Sequence, residues 1–113
     1  MSSINATIIN ALSDILSVTT AENPQENSNA DTFGVIVPVE DAIPLWADNL
    51  PLHESEEVYL EIYTKGNYLA LRDKVTARLI AADITIASRR YVQFEQDTRY
   101  HHYTFDLKKI KED

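Results

Sequence analysis

The chain has 113 residues, a formal net charge of −8 and no cysteine. This length suits a single domain of marginal stability, so a partner would cover an exposed apolar surface more naturally than the chain itself. The absence of cysteine excludes disulfides, thiolate catalysis and cysteine-ligated metals.

The charges are unevenly distributed along the chain. Residues 1–64 hold 11 Asp and Glu and no Lys or Arg, whereas residues 65–113 hold 7 acids and 10 bases. This balance argues against a nucleic-acid-binding face, although Lys108, Lys109 and Lys111 form a small basic cluster. The acidic half is either a solvated surface or one that meets a less acidic surface on a neighbouring copy.

The N-terminus has no basic region of the kind found in secretion signals. No apolar run approaches the ~20 residues that a membrane-spanning helix needs. We therefore expect a soluble, cytoplasmic protein that does not contact a membrane.

The first segment, INATIINALSDIL, has the spacing of an amphipathic helix behind Ser3 as its N-cap. Its apolar stripe consists of Ile4, Ile8, Ala11, Leu12 and Ile15. Residues 21–31 are polar and aperiodic, and we expect a loop there.

The next segments are a strand and a long loop. Residues 33–39, FGVIVPV, are rich in strand-forming residues, but Pro38 cannot donate to a sheet, so it either marks an edge strand or ends the strand. Residues 40–56 have neither helical nor strand spacing and are predicted to be a long acidic loop. Loops of this length usually carry function or are disordered.

The second half begins with a strand and a helix. In VYLEIYT, residues 58–64, apolar and polar positions alternate and predict a strand. Gly66 then serves as a permissive turn residue and Asn67 as an N-cap for a helix over residues 67–83. The core-facing stripe of that helix is Tyr68, Leu71, Val75, Leu79 and Ala82.

Two alternating segments, residues 84–95 and 100–107, joined by the polar stretch 96–99, predict a closing hairpin. The whole pattern predicts one α+β domain over residues 1–113, with two helices packed on one face of a mainly antiparallel sheet. The expected element order is helix, strand, long loop, strand, helix, strand, strand. The expected core residues include Leu60, Ile62, Leu71, Val75, Leu79 and Phe105.

The sequence favours no catalytic, cofactor or metal site. The corner Lys65-Gly66-Asn67 lacks the glycine spacing of phosphate-binding loops. Adjacent His101 and His102 point to opposite faces of a strand, so a surface histidine pair is favoured over a metal site.

The acidic loop holds two further candidates for chemistry. HESEE, which begins at His53, has a glutamate where the zinc motif HExxH has its second histidine. The acids Glu54, Glu56 and Glu57 lack convergent partners for acid–base catalysis, and no serine or threonine lies in a glycine-flanked elbow.

The stretch EVYLEIYTKGNYLALRDKV, followed by a helix and the hairpin EQDTRYHHYTFDL, resembles a family of small tail completion or tail terminator proteins. These belong to tailed phages and Gram-positive prophages. In that family, a strand ending in IYTKG-[ND]-Y or IWSKG-D-Y leads into the helix, and a hairpin of the EEDTGYYHK type precedes the last strand. The resemblance covers about residues 56–107, with the N-terminal helix matching in outline.

The matching positions are Lys65, Gly66, Asn67 and Tyr68 in the corner, and Asp97, Thr98, Tyr100 and His102 in the hairpin. Arg99 stands where the family pattern has a glycine. Residues 21–31 and the insertion PLWADNLPLHESEE also depart from that pattern.

The resemblance implies an α+β structural protein without catalysis or cofactor. It implies a ring, commonly a hexamer, that joins the tail tube protein to the head-completion or connector proteins at the head-proximal end of a long non-contractile tail. Such a protein lies in the virion and passes through the host cytoplasm during assembly. Nucleic acid would be met only as DNA passing through the ring.

Two sets of residues are candidates for the interface between subunits. One is apolar and lies in the long loop: Leu45, Trp46 and Leu50. The other is the outward face of the 58–64 strand: Tyr59, Glu61 and Tyr63. The alternative function is a small metal-binding or ligand-binding, enzyme-like domain that uses the acidic loop around His53.

Overall fold

The computed structural model describes residues 3–20, 31–39 and 54–111. Within these ranges the chain forms a five-stranded sheet in the order β1-β2-β3-β5-β4, with β1 parallel to β2 and every other pair antiparallel. Two helices pack on one face of the sheet, which confirms the predicted α+β fold. The elements are α1 (Ile4–Leu12), β1 (Ser17–Thr20), β2 (Thr32–Pro38), β3 (Glu54–Thr64), α2 (Tyr68–Ala81), β4 (Thr85–Glu95) and β5 (Tyr100–Lys111).

The core lies between the helices and the sheet, because alternate strand residues and one stripe of each helix are apolar. It is built from Ile4, Ile8, Leu12, Leu16, Ile36, Val58, Leu60, Ile62, Val75, Leu79, Ile84, Tyr103, Phe105 and Leu107. Five of the six predicted core residues are buried, and Leu71 is partly buried against the same cluster. The helix stripes and the alternation of β3 were therefore read correctly.

Side-chain caps fix where both helices begin. The Ser3 hydroxyl accepts a hydrogen bond from the Ala6 N–H (3.2 Å). Asn67 Oδ1 accepts hydrogen bonds from the N–H groups of Leu69 and Ala70, both at 3.1 Å. These bonds satisfy N–H groups that have no partner within the helix, and they confirm both predicted N-caps.

The end of α2 is a Schellman turn, in which Asp83 adopts a left-handed φ of 62°. The Ile84 N–H donates to the Leu79 carbonyl at 3.0 Å, and both side chains are buried in the core. This turn leads the chain from α2 into β4.

Several predicted boundaries were wrong. Strand β1 was not predicted, because four residues are too few to show alternation. Strand β3 begins at Glu54, inside the predicted 40–56 loop. Of the two alternatives for Pro38, the end of the strand is confirmed, because β2 ends at Pro38, whereas the edge strand is wrong, because β2 lies between β1 and β3. Strand β1 pairs with β2 only as far as Ile36, so Pro38 interrupts no bond in that pairing.

The two glycines differ in what their positions require. Gly66 has no positive φ, and a Cβ there would meet only Thr64 Oγ1, at 3.7 Å. The corner therefore does not need a glycine, and Asn67 alone sets the start of α2. At Gly34, a Cβ would lie 3.4 Å from the side chains of Leu16, Val18 and Leu60. The absence of a side chain at Gly34 therefore lets these three side chains pack closely against the backbone of β2.

The β4–β5 hairpin turns through residues 96–99, as predicted. The Arg99 N–H donates to the Glu95 carbonyl at 2.6 Å, and Arg99 has a φ of 65°. A left-handed backbone favours glycine. Arginine is tolerated here at a conformational cost of about 1–2 kcal/mol.

Replacing Leu79 by alanine should lower the free energy of unfolding by about 2–5 kcal/mol, because it leaves a cavity in the core. The matched control is its neighbour Ile80, which is 61% exposed, and Ile80→Ala should change stability by less than about 0.5 kcal/mol. Urea titration of both variants tests this. Equal losses in the two variants would show that the helix stripe is misassigned.

Arg99→Gly should raise the free energy of unfolding by about 0.5–1 kcal/mol, because relief of the left-handed strain outweighs the added freedom of the unfolded chain. Asp97→Gly, in the same turn but at a residue without a positive φ, should instead cost about 0.4–1 kcal/mol. Thermal or urea unfolding measures both. A loss of stability in Arg99→Gly would refute the assigned turn.

Candidate interaction surface

The sheet face opposite the helices, here called the open face, is the main candidate surface. No other described element packs on it. It forms a concavity of about 620 Å³ lined by Val37, Tyr59, Glu61, Tyr63, Ser88, Arg90, Val92, His102, Thr104 and Asp106. The three interface candidates predicted on β3, namely Tyr59, Glu61 and Tyr63, all lie here, and Tyr59 is 39% exposed.

A hydrogen-bonded group lies at the centre of the open face. Glu61 Oε1 accepts a hydrogen bond from His102 Nε2 at 2.7 Å, and Glu61 Oε2 accepts one from the Thr104 hydroxyl. Since a carboxylate only accepts, Nε2 of His102 carries the hydrogen. The Glu61 and His102 side chains are only 19% and 14% exposed, so the group is a fixed part of the surface.

An aromatic cluster extends from this group toward the end of the sheet. The His102 ring stacks on Tyr63 with the centroids 4.4 Å apart, and Tyr63 stacks on Phe33 at 4.9 Å. Tyr100 meets Phe33 edge-on at 5.4 Å. Burial, followed by the nearby carboxylate of Glu61, raises the pKa of Tyr63 above its ordinary value.

The corner at residues 65–68 and the hairpin at residues 97–102 are the two parts of the pattern that resembles the tail-terminator family. They meet at this end of the sheet, although they are about 30 residues apart in sequence. Lys65 Nζ lies 5.0 Å from the Tyr100 ring centroid, a cation–π contact. Tyr68, on the helix side, packs against Tyr91 and His101 with centroids 4.8 and 4.9 Å away. The corner and the hairpin therefore form one local structure.

The remaining residues of the pattern have structural roles or are exposed. Asn67 caps α2, and the Thr98 hydroxyl donates to Glu95 Oε1 at 2.9 Å within the hairpin turn. Gly66 and Asp97 are exposed. The pattern therefore describes a scaffold more than a set of chemically reactive groups.

The two adjacent histidines point to opposite faces, as predicted. His102 is part of the open-face group, whereas His101 Nδ1 lies 3.0 Å from the Tyr91 hydroxyl on the helix side. Both histidines are partly exposed, each on its own face of the sheet. Within the described ranges, no three His, Cys, Asp or Glu residues come together in a way that could hold a metal ion.

Sequence reasoning missed part of this surface. It did not place Phe33, Arg90 or Asp106 on the open face. The alternation in the second hairpin strand assigns Asp106 to the same face as His102, but it does not show which strand lies beside β3. The remaining candidates, Leu45, Trp46, Leu50 and His53, lie outside the described residues.

Two carboxylates lie close together toward the other end of the open face. Asp106 is opposite Tyr59 in the β3–β5 register, which makes Glu57 its diagonal neighbour. Two carboxyl groups share a hydrogen bond only when one is protonated, so Asp106 raises the pKa of Glu57; burial adds to the shift, and Lys108 offsets part of it.

Because the folded pKa of Glu57 lies above its ordinary value of 4.5, the folded state binds more protons than the unfolded chain just above that pH. The contribution of Glu57 to stability should therefore fall as the pH rises through this window. Glu57→Gln should be more stable than the wild type at pH 7, and the difference should disappear below about pH 4.

Urea titrations across pH 3–8 test this, with Asp97→Asn in the exposed hairpin turn as a control that removes a charge of the same sign. If the free energy of unfolding of Glu57→Gln ran parallel to that of the wild type across this pH range, the raised pKa of Glu57 would be contradicted.

None of the helices in the described ranges is both long and apolar enough to cross a membrane. The chain matches no family model, and no curated protein matches it in sequence. A function must therefore be argued from the arrangement of its own residues.

Proposed function

We propose that this chain is a structural virion protein of a tailed phage or prophage, of the tail completion or terminator type. It would act as a homo-oligomeric ring, hexameric in the virion, at the head-proximal end of the tail. There it would join the tail tube protein to the head connector by protein–protein contacts, without catalysis. It would reach that place from the host cytoplasm during assembly.

The observation that carries this proposal is the open face. In this small domain, one side of the sheet forms the core, while the other presents tyrosines, an arginine and a histidine in a shallow concavity. Tyrosine and arginine are enriched at protein interfaces, where they contribute much of the binding energy. The surface is broad and shallow, as expected for contact with another protein.

The open face is also held rigid before any partner binds. Glu61 fixes His102 and Thr104 by hydrogen bonds, and His102 in turn stacks on Tyr63. Fixed side chains lose less conformational entropy on binding, which favours a specific interface. Tyr59, next to this group and 39% exposed, is an aromatic side chain that a partner can reach.

The family-like pattern gives separate support, because its two parts form one local structure at the end of the open face. Lys65 and Tyr100, one from each part, are in direct contact. The alternative function around His53 falls on residues outside those that the structure describes.

The test replaces Tyr59 by arginine and measures joining to purified tail tubes from the same phage or prophage, by electron microscopy and by binding. Loss of a central aromatic anchor should weaken binding at least about tenfold while leaving the fold intact. Ile80→Arg, an equally drastic change at an exposed apolar residue of α2, is the matched control and should bind normally.

Circular dichroism of both variants checks that they fold. A wild-type chain that neither self-associates nor binds tail tube or connector proteins would contradict the proposed function. Normal joining by Tyr59→Arg would show that the open face is not the partner surface.

A further inference from the structure

We infer that the edge of β4 binds an acidic, extended segment of another protein, which adds to the sheet as a further strand. This surface adjoins the open face, and the inference is independent of the proposed function. Among the described strands, β4 lies at one end of the sheet and has β5 as its one neighbour. An edge strand presents backbone N–H and C=O groups with which an extended peptide can pair.

The part of β4 that a further strand can join lies in the middle of it. The β4–β5 register shifts between Ile86 and Ser88 and again between Tyr91 and Gln93, which leaves Ser88 to Tyr91 in regular pairing. All four residues of this stretch are exposed. In an antiparallel pair, alternate residues direct their N–H and C=O groups away from the neighbouring strand, so this stretch can accept a partner strand.

Two adjacent arginines give this stretch a positive charge on both faces of the sheet. Arg90 lines the open face, whereas Arg89 donates a hydrogen bond from Nη1 to the Thr76 hydroxyl of α2, at 2.9 Å, on the helix side. Neither arginine forms an ion pair with a carboxylate of the described residues. Residues 85–94 include no acid. Because cross-strand pairs of opposite charge are stabilising, the edge favours a partner with acidic residues at two successive positions.

Exposed aromatic side chains lie beside Arg89 on the helix side. Tyr91 and Phe94 are 38% and 42% exposed. Each ring packs against a neighbour: the Tyr91 centroid lies 4.8 Å from that of Tyr68, and the Phe94 centroid lies 4.9 Å from that of His101. Aromatic side chains held in this way are typical anchors of protein interfaces. The partner segment should therefore carry an apolar residue opposite Tyr91, directly beside its two acids.

The same features argue against two other occupants of this edge. Pairing with β4 of a second copy would bring two arginine-bearing strands together, and like charges on paired strands are destabilising. Nucleic acid is disfavoured because the chain as a whole has a net charge of −8. An acidic protein segment satisfies both the arginines and the aromatic side chains.

The test titrates the isotope-labelled full chain with a synthetic, strand-length peptide and follows the backbone amide signals by NMR. In the peptide, the sequence valine-glutamate-glutamate is flanked by alternating threonine and valine. We expect the amide signals of Ser88 to Tyr91 to shift and those of β1 to stay unchanged. A peptide with lysines in place of both glutamates should bind at least about tenfold more weakly.

Matched variants of the chain each reverse two charges. Arg89→Glu with Arg90→Glu should weaken binding of the glutamate peptide at least about tenfold. Lys74→Glu with Arg99→Glu makes the same change of charge at exposed residues outside β4, and its affinity should stay within about threefold of the wild type. An unchanged amide signal of the buried Leu79 shows that each variant is folded.

Equal binding of the two peptides, or no shift at Ser88 to Tyr91 with the glutamate peptide, would overturn the inference. Shifts of these signals when the chain alone is concentrated would overturn it in favour of a second copy. Shifts with single-stranded oligothymidylate but not with the glutamate peptide would overturn it in favour of a nucleic acid. Joining to tail tubes is measured separately with Tyr59→Arg, so each of these results leaves the proposed function standing.

Discussion

The pairing of β3 with β5 is the interaction on which the rest of the structure depends. It runs in one register from Glu54 opposite Lys111 to Thr64 opposite His101, at the centre of the sheet. A shift by one residue would exchange the two faces of either strand. Leu60 and Phe105 would then leave the core, while Tyr59 and Asp106 would enter it, so the apolar pattern of both strands enforces this register.

The same pairing builds the open face. It places Glu61 opposite Thr104 and Tyr63 opposite His102, which allows the diagonal hydrogen bond from His102 to Glu61. One face of the pair stabilises the domain by burial, and the other presents fixed polar and aromatic groups. At the other end of this register, Glu57 and Asp106 are two acids held close together, an unfavourable arrangement that the fold tolerates on this surface.

Much of the fold could be predicted from the sequence because its signals are local. The stripe through Val75 and Leu79, the Asn67 cap and the alternation of β3 each depend on a few neighbouring residues. Strand β1 could not be predicted, because it exists through its pairing with β2, 16 residues further along the chain. Gly66 was predicted to be a permissive turn residue, but its φ is not positive, so the turn does not use that freedom.

The candidate surface was only partly predictable for the same reason. The alternation of β3 assigned Tyr59, Glu61 and Tyr63 to the face away from the core. Which residues they would meet depended on strand order, and that order is set by long-range packing that periodicity does not report. The meeting of Lys65 with Tyr100 could be found only in the folded chain.

The central claim, that the open face is the surface by which this protein meets its partners, is tested most directly by hydroxyl-radical footprinting of the free chain and of chain bound to tail tubes. Oxidation of Tyr59 should fall on binding, while oxidation of Leu69 and Ile80, which are 47% and 61% exposed on α2, should stay unchanged. Unchanged oxidation of Tyr59 together with protection of Leu69 and Ile80 would contradict the claim and assign the contact to the helices.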